Sequence, residues 1–378
     1  MKKKICFVVA IPRTANSFLR DHIAALSQEY DVYLAGNIAR AEEVEGLALA
    51  GWYRLNIERG ISIWKDLKSV FAARKLFKRE KFDAIHSVTP KAGMVTALAG
   101  KLAGIKHRTH IFTGQVWCTR QGLMRRLLKS IDKIITRFDN HILVDGKSQR
   151  DFLVNEDVLR EGQALVFGNG SISGVNSVRF VPSEENRVKI RKEAGIKEET
   201  VCYIFLGRMN RDKGIGELYE AYNRLAGEVE NVFLLLVGYD EENYISRVGN
   251  YKNINENNFK FYGRTPCPEA VLNAGDVFVL PTYREGFGTS VLEAASVGVP
   301  AITSDAYGVL DAVVEGETGL RCKVGDVETL YACMRKMYDN PDMMKKMGKR
   351  SRERVLSDFN GAKLTEYWME FYHSMLND

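Results

Sequence analysis

Residues 276–300 read DVFVLPTYREGFGTSVLEAASVGVP, and the order of residue types in that stretch decides the fold. Asp276 to Leu280 is a short apolar run rich in Val and Phe and ended by Pro281, which suits a buried parallel strand with its loop at the carboxyl end. In the loop Tyr283-Arg284-Glu285-Gly286-Phe287-Gly288, two glycines let the backbone approach a ligand closely. Thr289 or Ser290 is placed to cap a following helix whose free N–H groups point into the same crevice. Such an end favours an anion. Glu285 on the loop and Glu293 about a turn into the helix bring two carboxylates to either side of it. Because carboxylates suit hydroxyls, the ligand class is a phosphate joined to polyols. Read singly, each Glu is a solvated surface acid.

The 378 residues suit two domains, each able to bury its own core, and helix-like and strand-like segments alternate in an α/β pattern with 45% hydrophobic residues. No apolar run approaches the roughly 18 residues of a membrane span. Lys2-Lys3-Lys4 leads into Ile5 to Ile11, too short for a signal peptide, so a cytoplasmic location is expected. The six cysteines are scattered without a C-x-x-C pair, which points to reduced thiols and not to a disulfide framework or a zinc cage. Charge is uneven: residues 1–180 carry 29 Lys and Arg against 17 Asp and Glu, whereas 181–378 carry 25 against 31. A basic first half suggests that it meets an anionic surface or substrate.

Farther upstream, Val201 to Leu206 is an apolar strand followed by Gly207-Arg208-Met209-Asn210-Arg211-Asp212-Lys213-Gly214 and an amphipathic helix from Ile215. Arg208 and Lys213 straddle a turn expected at the same sheet edge as the Glu285 loop. Gly-Arg-x4-Lys-Gly together with Glu-x7-Glu around Gly-Phe-Gly resembles the signature of retaining nucleotide-sugar glycosyltransferases of family 4, which have the GT-B fold. The resemblance spans nearly the whole chain and is strongest over 201–330. It implies that Arg208 and Lys213 hold the donor diphosphate, Glu285 contacts sugar hydroxyls, the amides of Gly286, Phe287, Gly288 and Thr289 meet sugar and phosphate, and Glu293 holds the ribose. Gly207 and the Gly263-Arg264 turn are expected beside the nucleotide. No Asp-x-Asp occurs, so no metal and no further cofactor are expected.

The first half departs from the family at informative places. Ile5 to Ile11 is read as a strand, followed by a loop from Pro12 and an amphipathic helix. Pro12-Arg13-Thr14-Ala15-Asn16-Ser17 stands where the family commonly has Gly-Gly. Val88 and Thr113 stand where it often has histidines, leaving His86 and His110 as candidate packed strand residues. Trp64 to Lys81 and Leu123 to Phe138 are read as amphipathic helices with apolar faces at Trp64, Leu67, Val70, Phe71 and Phe77 and at Leu123, Leu127, Leu128, Ile131, Ile134, Ile135 and Phe138. Their interspersed Lys and Arg are either a solvated surface or a docking face for anionic lipid. The Gly168 to Asn176 loop is read as the exit from the first domain. The stretches HSVTPKAG and IFTGQVW resemble the branch that builds bacterial surface polysaccharides.

The resemblance implies two Rossmann-like domains with a cleft between them: an acceptor side over 1–175, joined by a C-terminal helix over 361–378, and a donor side over 176–360. The implied activity moves a sugar, with retention, from a nucleoside diphosphate sugar to a hydroxyl of a polyprenyl-diphosphate-linked saccharide. Family frequency points to a UDP-hexose or UDP-N-acetylhexosamine. The enzyme would lie peripherally on the inner membrane face, with no nucleic-acid partner. A sugar-nucleotide epimerase of the same fold, or an inactive nucleotide-sugar-binding subunit, are the alternatives.

Overall fold

The computed structural model describes residues 2–58, 60 and 62–377; Met1 and Asp378, at the two ends of the expected first domain, lie outside them. The chain divides into two compact units, one comprising residues up to Ser173 together with the segment from Gly361, the other Gly174–Asn360.

In the first unit, β1 (Lys4–Val9), β2 (Asp31–Gly36), β3 (Gly51–Arg54), β4 (Ala84–Val88), β5 (His107–Phe112), β6 (His141–Val144) and β7 (Ala164–Leu165) form one sheet in the order β3-β2-β1-β4-β5-β6-β7. Neighbouring strands pair in parallel throughout. Parallel pairing requires crossover helices on both faces, which explains why β1 and β4 are almost wholly buried.

One face is closed by the C-terminal helix Gly361–Asn377, whose Leu364, Trp368, Tyr372 and Met375 are buried beside Phe7, Ile23 and Leu34. His86 is enclosed there: its ring stacks between Phe7 and Trp368, at centroid distances of 5.3 and 5.0 Å, and its Nδ1 lies 2.8 Å from the Tyr372 hydroxyl. His110 is likewise buried, with Nδ1 2.8 Å from Ser87 Oγ. Burial pulls both imidazoles down, His110 to about 3, so both are neutral packing groups. The Ile172 carbonyl accepts hydrogen bonds from His22 Nε2 at 2.9 Å and Trp368 Nε1 at 3.1 Å. The Gly168–Ser173 loop is thereby tied into the core and is not a free linker.

Several expectations for this unit need correction. Helix begins at Pro12 itself, running Pro12–Phe18 and then Arg20–Leu26, because proline at the first helical position needs no N–H partner; Pro12 does not open a loop, and only Ala10 and Ile11 connect β1 to the helix. Pro90 opens the helix Pro90–Ala103 in the same way. The helices Ile63–Glu80 and Gly122–Phe138 exist, but their apolar residues do not form single packed faces. Val70, Ala73, Leu76 and Phe77 are buried, whereas Trp64, Leu67, Phe71, Leu123 and Leu127 are exposed. Lys129 is half-buried in an ion pair with Glu156 and does not belong to the exposed basic series.

In the second unit, β8 (Val201–Met209), β9 (Val232–Asp240), β10 (Phe259–Gly263), β11 (Val277–Leu280), β12 (Ala301–Ser304) and β13 (Gly319–Cys322) form a parallel sheet ordered β10-β9-β8-β11-β12-β13. Asp276 locks β11 beside β8: its carboxylate accepts from the Cys202 amide at 2.8 Å and from Arg187 and Arg191 at 2.6 and 3.1 Å. Those arginines lie on the helix Glu184–Ala194, which together with Pro341–Asp358 the hydrophobic spacing had not singled out. Replacing Trp368 by Ala is expected to cost about 3–5 kcal/mol, measured by urea unfolding followed by circular dichroism, since the indole fills the core around His86.

Candidate active site

Parallel strands place every loop that follows a strand at one edge, and the order of the second sheet reverses direction between β8 and β11. Ligands of open α/β sheets bind outside the strand ends at such a reversal. Arg208 stands at the end of β8 and Lys213 in the turn that follows it, and the loop after β11 carries Glu285 to Gly288, so two widely separated sequence segments meet at the reversal.

They meet through ion pairs. Lys213 Nζ pairs with Glu285, both side chains being largely buried. One residue earlier on each loop, Asp212 pairs with Arg284, with Nε and Nη2 at 2.8 and 2.7 Å from one carboxylate oxygen. The backbone reinforces the match, because the Asp212 carbonyl accepts from the Tyr283 amide and the Thr282 hydroxyl, each at 2.8 Å. Approach this close demands glycine at Gly214, where φ is +70° and a Cβ would fall 2.1 Å from the Pro281 carbonyl oxygen. Gly308 plays the same part behind Glu285: its φ is +84° and a Cβ would fall 2.4 Å from the Glu285 carbonyl oxygen.

Arg208 is exposed at the end of β8, and its Nη1 lies 3.1 and 3.0 Å from the two oxygens of Glu241. Asn210 Nδ2 donates to Glu241 at 2.6 Å and holds that carboxylate in place. The sequence reading missed Glu241; its signal was an acid just past β9, the strand that pairs with β8. Gly207, facing Gly238 in that pairing, precedes Arg208. Arg264 is exposed beyond β10, with its guanidinium 4.5 Å from the Tyr239 ring centroid, at the same edge but not in the ion-pair cluster.

Gly286 and Gly288 are buried backbone. The Phe287 side chain packs in the core against Phe359 at a centroid distance of 5.2 Å, so only its main chain can meet a ligand. Gly288, at φ +84°, occupies the cap of the helix Thr289–Ser296. Neither Thr289 nor Ser290 caps that helix as expected, and the cap makes no side-chain hydrogen bond.

Glu293 sits on the same helix, half-buried and without a hydrogen-bond or ion-pair partner among the described residues. Desolvation pushes its carboxyl up to about 7, against the pull of Arg179 and with a smaller push from Glu269. An unpartnered carboxylate beside a helix start can accept hydrogen bonds from a diol. Two cations held by displaceable carboxylates, with uncapped amides close by, can hold a diphosphate. Among the described residues no group of three or more His, Cys, Asp or Glu is placed to hold a metal ion.

Two family models match the chain, "Glycosyl transferase 4-like domain" over residues 17–170 and "Glycosyl transferases group 1" over 186–354. The chain belongs to this glycosyltransferase family. Its relatives include the capsular polysaccharide biosynthesis glycosyltransferase CapM of Staphylococcus aureus, 28% identical over 324 residues, covering 85% of this glycosyltransferase and 84% of CapM. Another is the Escherichia coli UDP-Gal:alpha-D-GlcNAc-diphosphoundecaprenol alpha-1,3-galactosyltransferase, 24% identical over 84% of this chain and 82% of that protein. Together they place the glycosyltransferase in the bacterial surface-polysaccharide branch of family 4. Anabaena Alr3699/HepE, solved in complex with UDP, has the same fold at a TM-score of 0.81 and 17% identity, with 99% and 100% of the two chains covered. That fold is GT-B.

The raised Glu293 carboxyl gives a sign to pH dependence. Its folded value lies above the ordinary 4.5, so its share of stability is complete below about 4.5 and is lost as pH rises through about 7. Glu293→Gln is therefore expected to stabilise the ligand-free protein at pH 8–9 by on the order of 1–2 kcal/mol, read as a higher melting temperature, and to change little at pH 4.5. Melting curves of both proteins across that range provide the check.

Proposed function

We propose that this glycosyltransferase moves a hexose or N-acetylhexosamine from a UDP-sugar to a hydroxyl of a polyprenyl-diphosphate-linked saccharide, with retention and without a metal ion. The reading places the enzyme peripherally on the inner face of the cytoplasmic membrane, in the assembly of a capsule, O-antigen or exopolysaccharide. The observation that carries it is the pairing of Lys213 with Glu285 and of Arg208 with Glu241 at the sheet reversal. The E. coli UDP-Gal-dependent relative and the UDP-bound Anabaena structure favour a UDP donor, and that relative's name favours a diphosphoundecaprenol-linked acceptor.

In this reading the bond between the anomeric carbon and the diphosphate oxygen breaks, and the electron pair stays on the diphosphate. Arg208 and Lys213 stabilise the charge that develops there, and preorganised cations do so without reorganising in the transition state. The main chain of Gly286 to Thr289 adds N–H donors to the phosphate and sugar. Once the diphosphate engages Lys213, Glu285 is released to accept from sugar hydroxyls. It positions the sugar and forms no covalent bond to it. The acceptor oxygen bonds to the anomeric carbon on the face the diphosphate leaves, and its proton passes to the departing diphosphate. Glu293 holds the ribose hydroxyls.

Ligand at 100 times its dissociation constant adds about 2.7 kcal/mol to stability. UDP is therefore expected to raise the melting temperature of the wild type more than GDP or ADP does, and to leave Arg208→Ala nearly unmoved. The same substitution is expected to slow turnover about 10²–10³-fold, assayed with a lipid-linked acceptor. Turnover should persist in EDTA; full loss restored by magnesium would refute the metal-free reading. Product analysis with and without acceptor completes the test, because isomerisation of the donor alone would identify an epimerase.

A further inference from the structure

The amino edge of the first sheet holds a pocket of about 430 Å³ that the donor chemistry does not use. β1, β4 and β5 are neighbours in that sheet, and Lys3, Asp83 and Lys106 stand immediately before them. Helices Ile63–Glu80 and Pro90–Ala103 return to the same edge, which brings Lys78 and Lys81, at the end of the first, beside the end of the second. Phe77, Phe82 and Leu376 supply an apolar wall. All of these residues belong to the first unit.

Four lysines therefore line one pocket, and their counter-charges fall short. Among the described residues Lys78, Lys81 and Lys106 have no carboxylate partner, while Lys3 Nζ donates to the Leu376 carbonyl. Asp83, the one carboxylate among the described lining residues, accepts from the Lys4 amide at 2.7 Å. Three helix ends, at about half a unit of negative charge each, together with Asp83 leave the four lysines about one and a half charges in excess. Lys81 is also held against its backbone preference. It follows helix Ile63–Glu80 in the left-handed region at φ +53°, a conformation that disfavours ordinary side chains, whereas helix Pro90–Ala103 has glycine at the matching place, Gly104 at φ +77°. A lysine there costs stability and sets its ammonium group at the pocket.

We infer that this pocket is a second ligand site, which binds a small organic phosphate with its phosphate on the lysines and its apolar body against Phe77, Phe82 and Leu376. Ammonium groups on flexible stems converge readily on a compact polyanion. A bare phosphate would leave most of the volume empty, and pockets of roughly 300–1,000 Å³ are the size that holds small organic ligands. The site lies in a different unit from Arg208 and Lys213, and it stands or falls independently of the donor reading.

The test is calorimetric titration of the full chain with phenyl phosphate at physiological salt and without UDP, with inorganic phosphate titrated alongside. Phenyl phosphate is expected to bind about tenfold more tightly than inorganic phosphate, because its ring leaves water. Lys78→Gln and Lys106→Gln are each expected to weaken that binding about fivefold, while Arg208→Ala leaves it unchanged. Melting of the two lysine variants in a single transition at the wild-type temperature shows that they fold. Lys81→Gly should weaken binding and at the same time raise the melting temperature, since glycine relieves the left-handed turn. Absence of binding at physiological salt would overturn the inference. So would binding that Arg208→Ala abolishes and the lysine variants keep, or binding no tighter than that of inorganic phosphate.

Discussion

The pairing of Asp212 and Lys213 with Arg284 and Glu285 is the contact that joins the two loops of the second unit and on which the proposed donor site depends. Two loops that follow different strands are joined by opposite charges in register. Arg284 and Asp212 hold the main chains together, and Gly214 allows the approach that brings Lys213 to Glu285. Exposed ion pairs are worth about 0–1 kcal/mol, so the Arg208–Glu241 pair is a weak resting contact. A diphosphate offers more charge and more acceptors than a carboxylate, and Glu241 is easily displaced. The same arrangement keeps the cations from collapsing elsewhere when no ligand is bound.

Behind these loops the supports are rigid. Asp276 takes three hydrogen-bond donors and fixes β11 on β8, so the loops that follow them start from a defined register. Phe287 anchors the middle of the glycine loop in the core against Phe359. Glu293 differs from Glu285 in having no cation to hold it, and its raised carboxyl reflects that. In the first unit the C-terminal helix supplies Trp368 and Tyr372 to the core around His86, which makes residues distant in sequence part of one sheet's packing.

Much of this was legible in the sequence because it rests on local spacing. Strand β11, the glycine loop and the helix carrying Glu293 follow from a Val-rich run, a proline stop and two glycines. The pairing of the Arg208 turn with the Glu285 loop needed the family resemblance, since strand order is a long-range property that local spacing does not encode. Helical periodicity identified Ile63–Glu80 and Gly122–Phe138 but did not tell which of their apolar residues are buried. Periodicity shows that Trp64, Leu67 and Phe71 share a helix face, not whether another element covers that face. The helix start at Pro12 was missed because proline was taken as a loop signal, although it is well suited to a helix's first position. Thr289 failed as a cap because Gly288, in the left-handed region, already occupies that place. Glu241 was invisible because its role depends on the register of β8 with β9.

A crystal structure with UDP, grown without divalent metal, tests the central claim most directly. The account requires the diphosphate to lie on Arg208 and Lys213, with Glu241 and Glu285 parted from them and the ribose hydroxyls on Glu293. UDP bound elsewhere, or bound with both resting ion pairs intact, would contradict it.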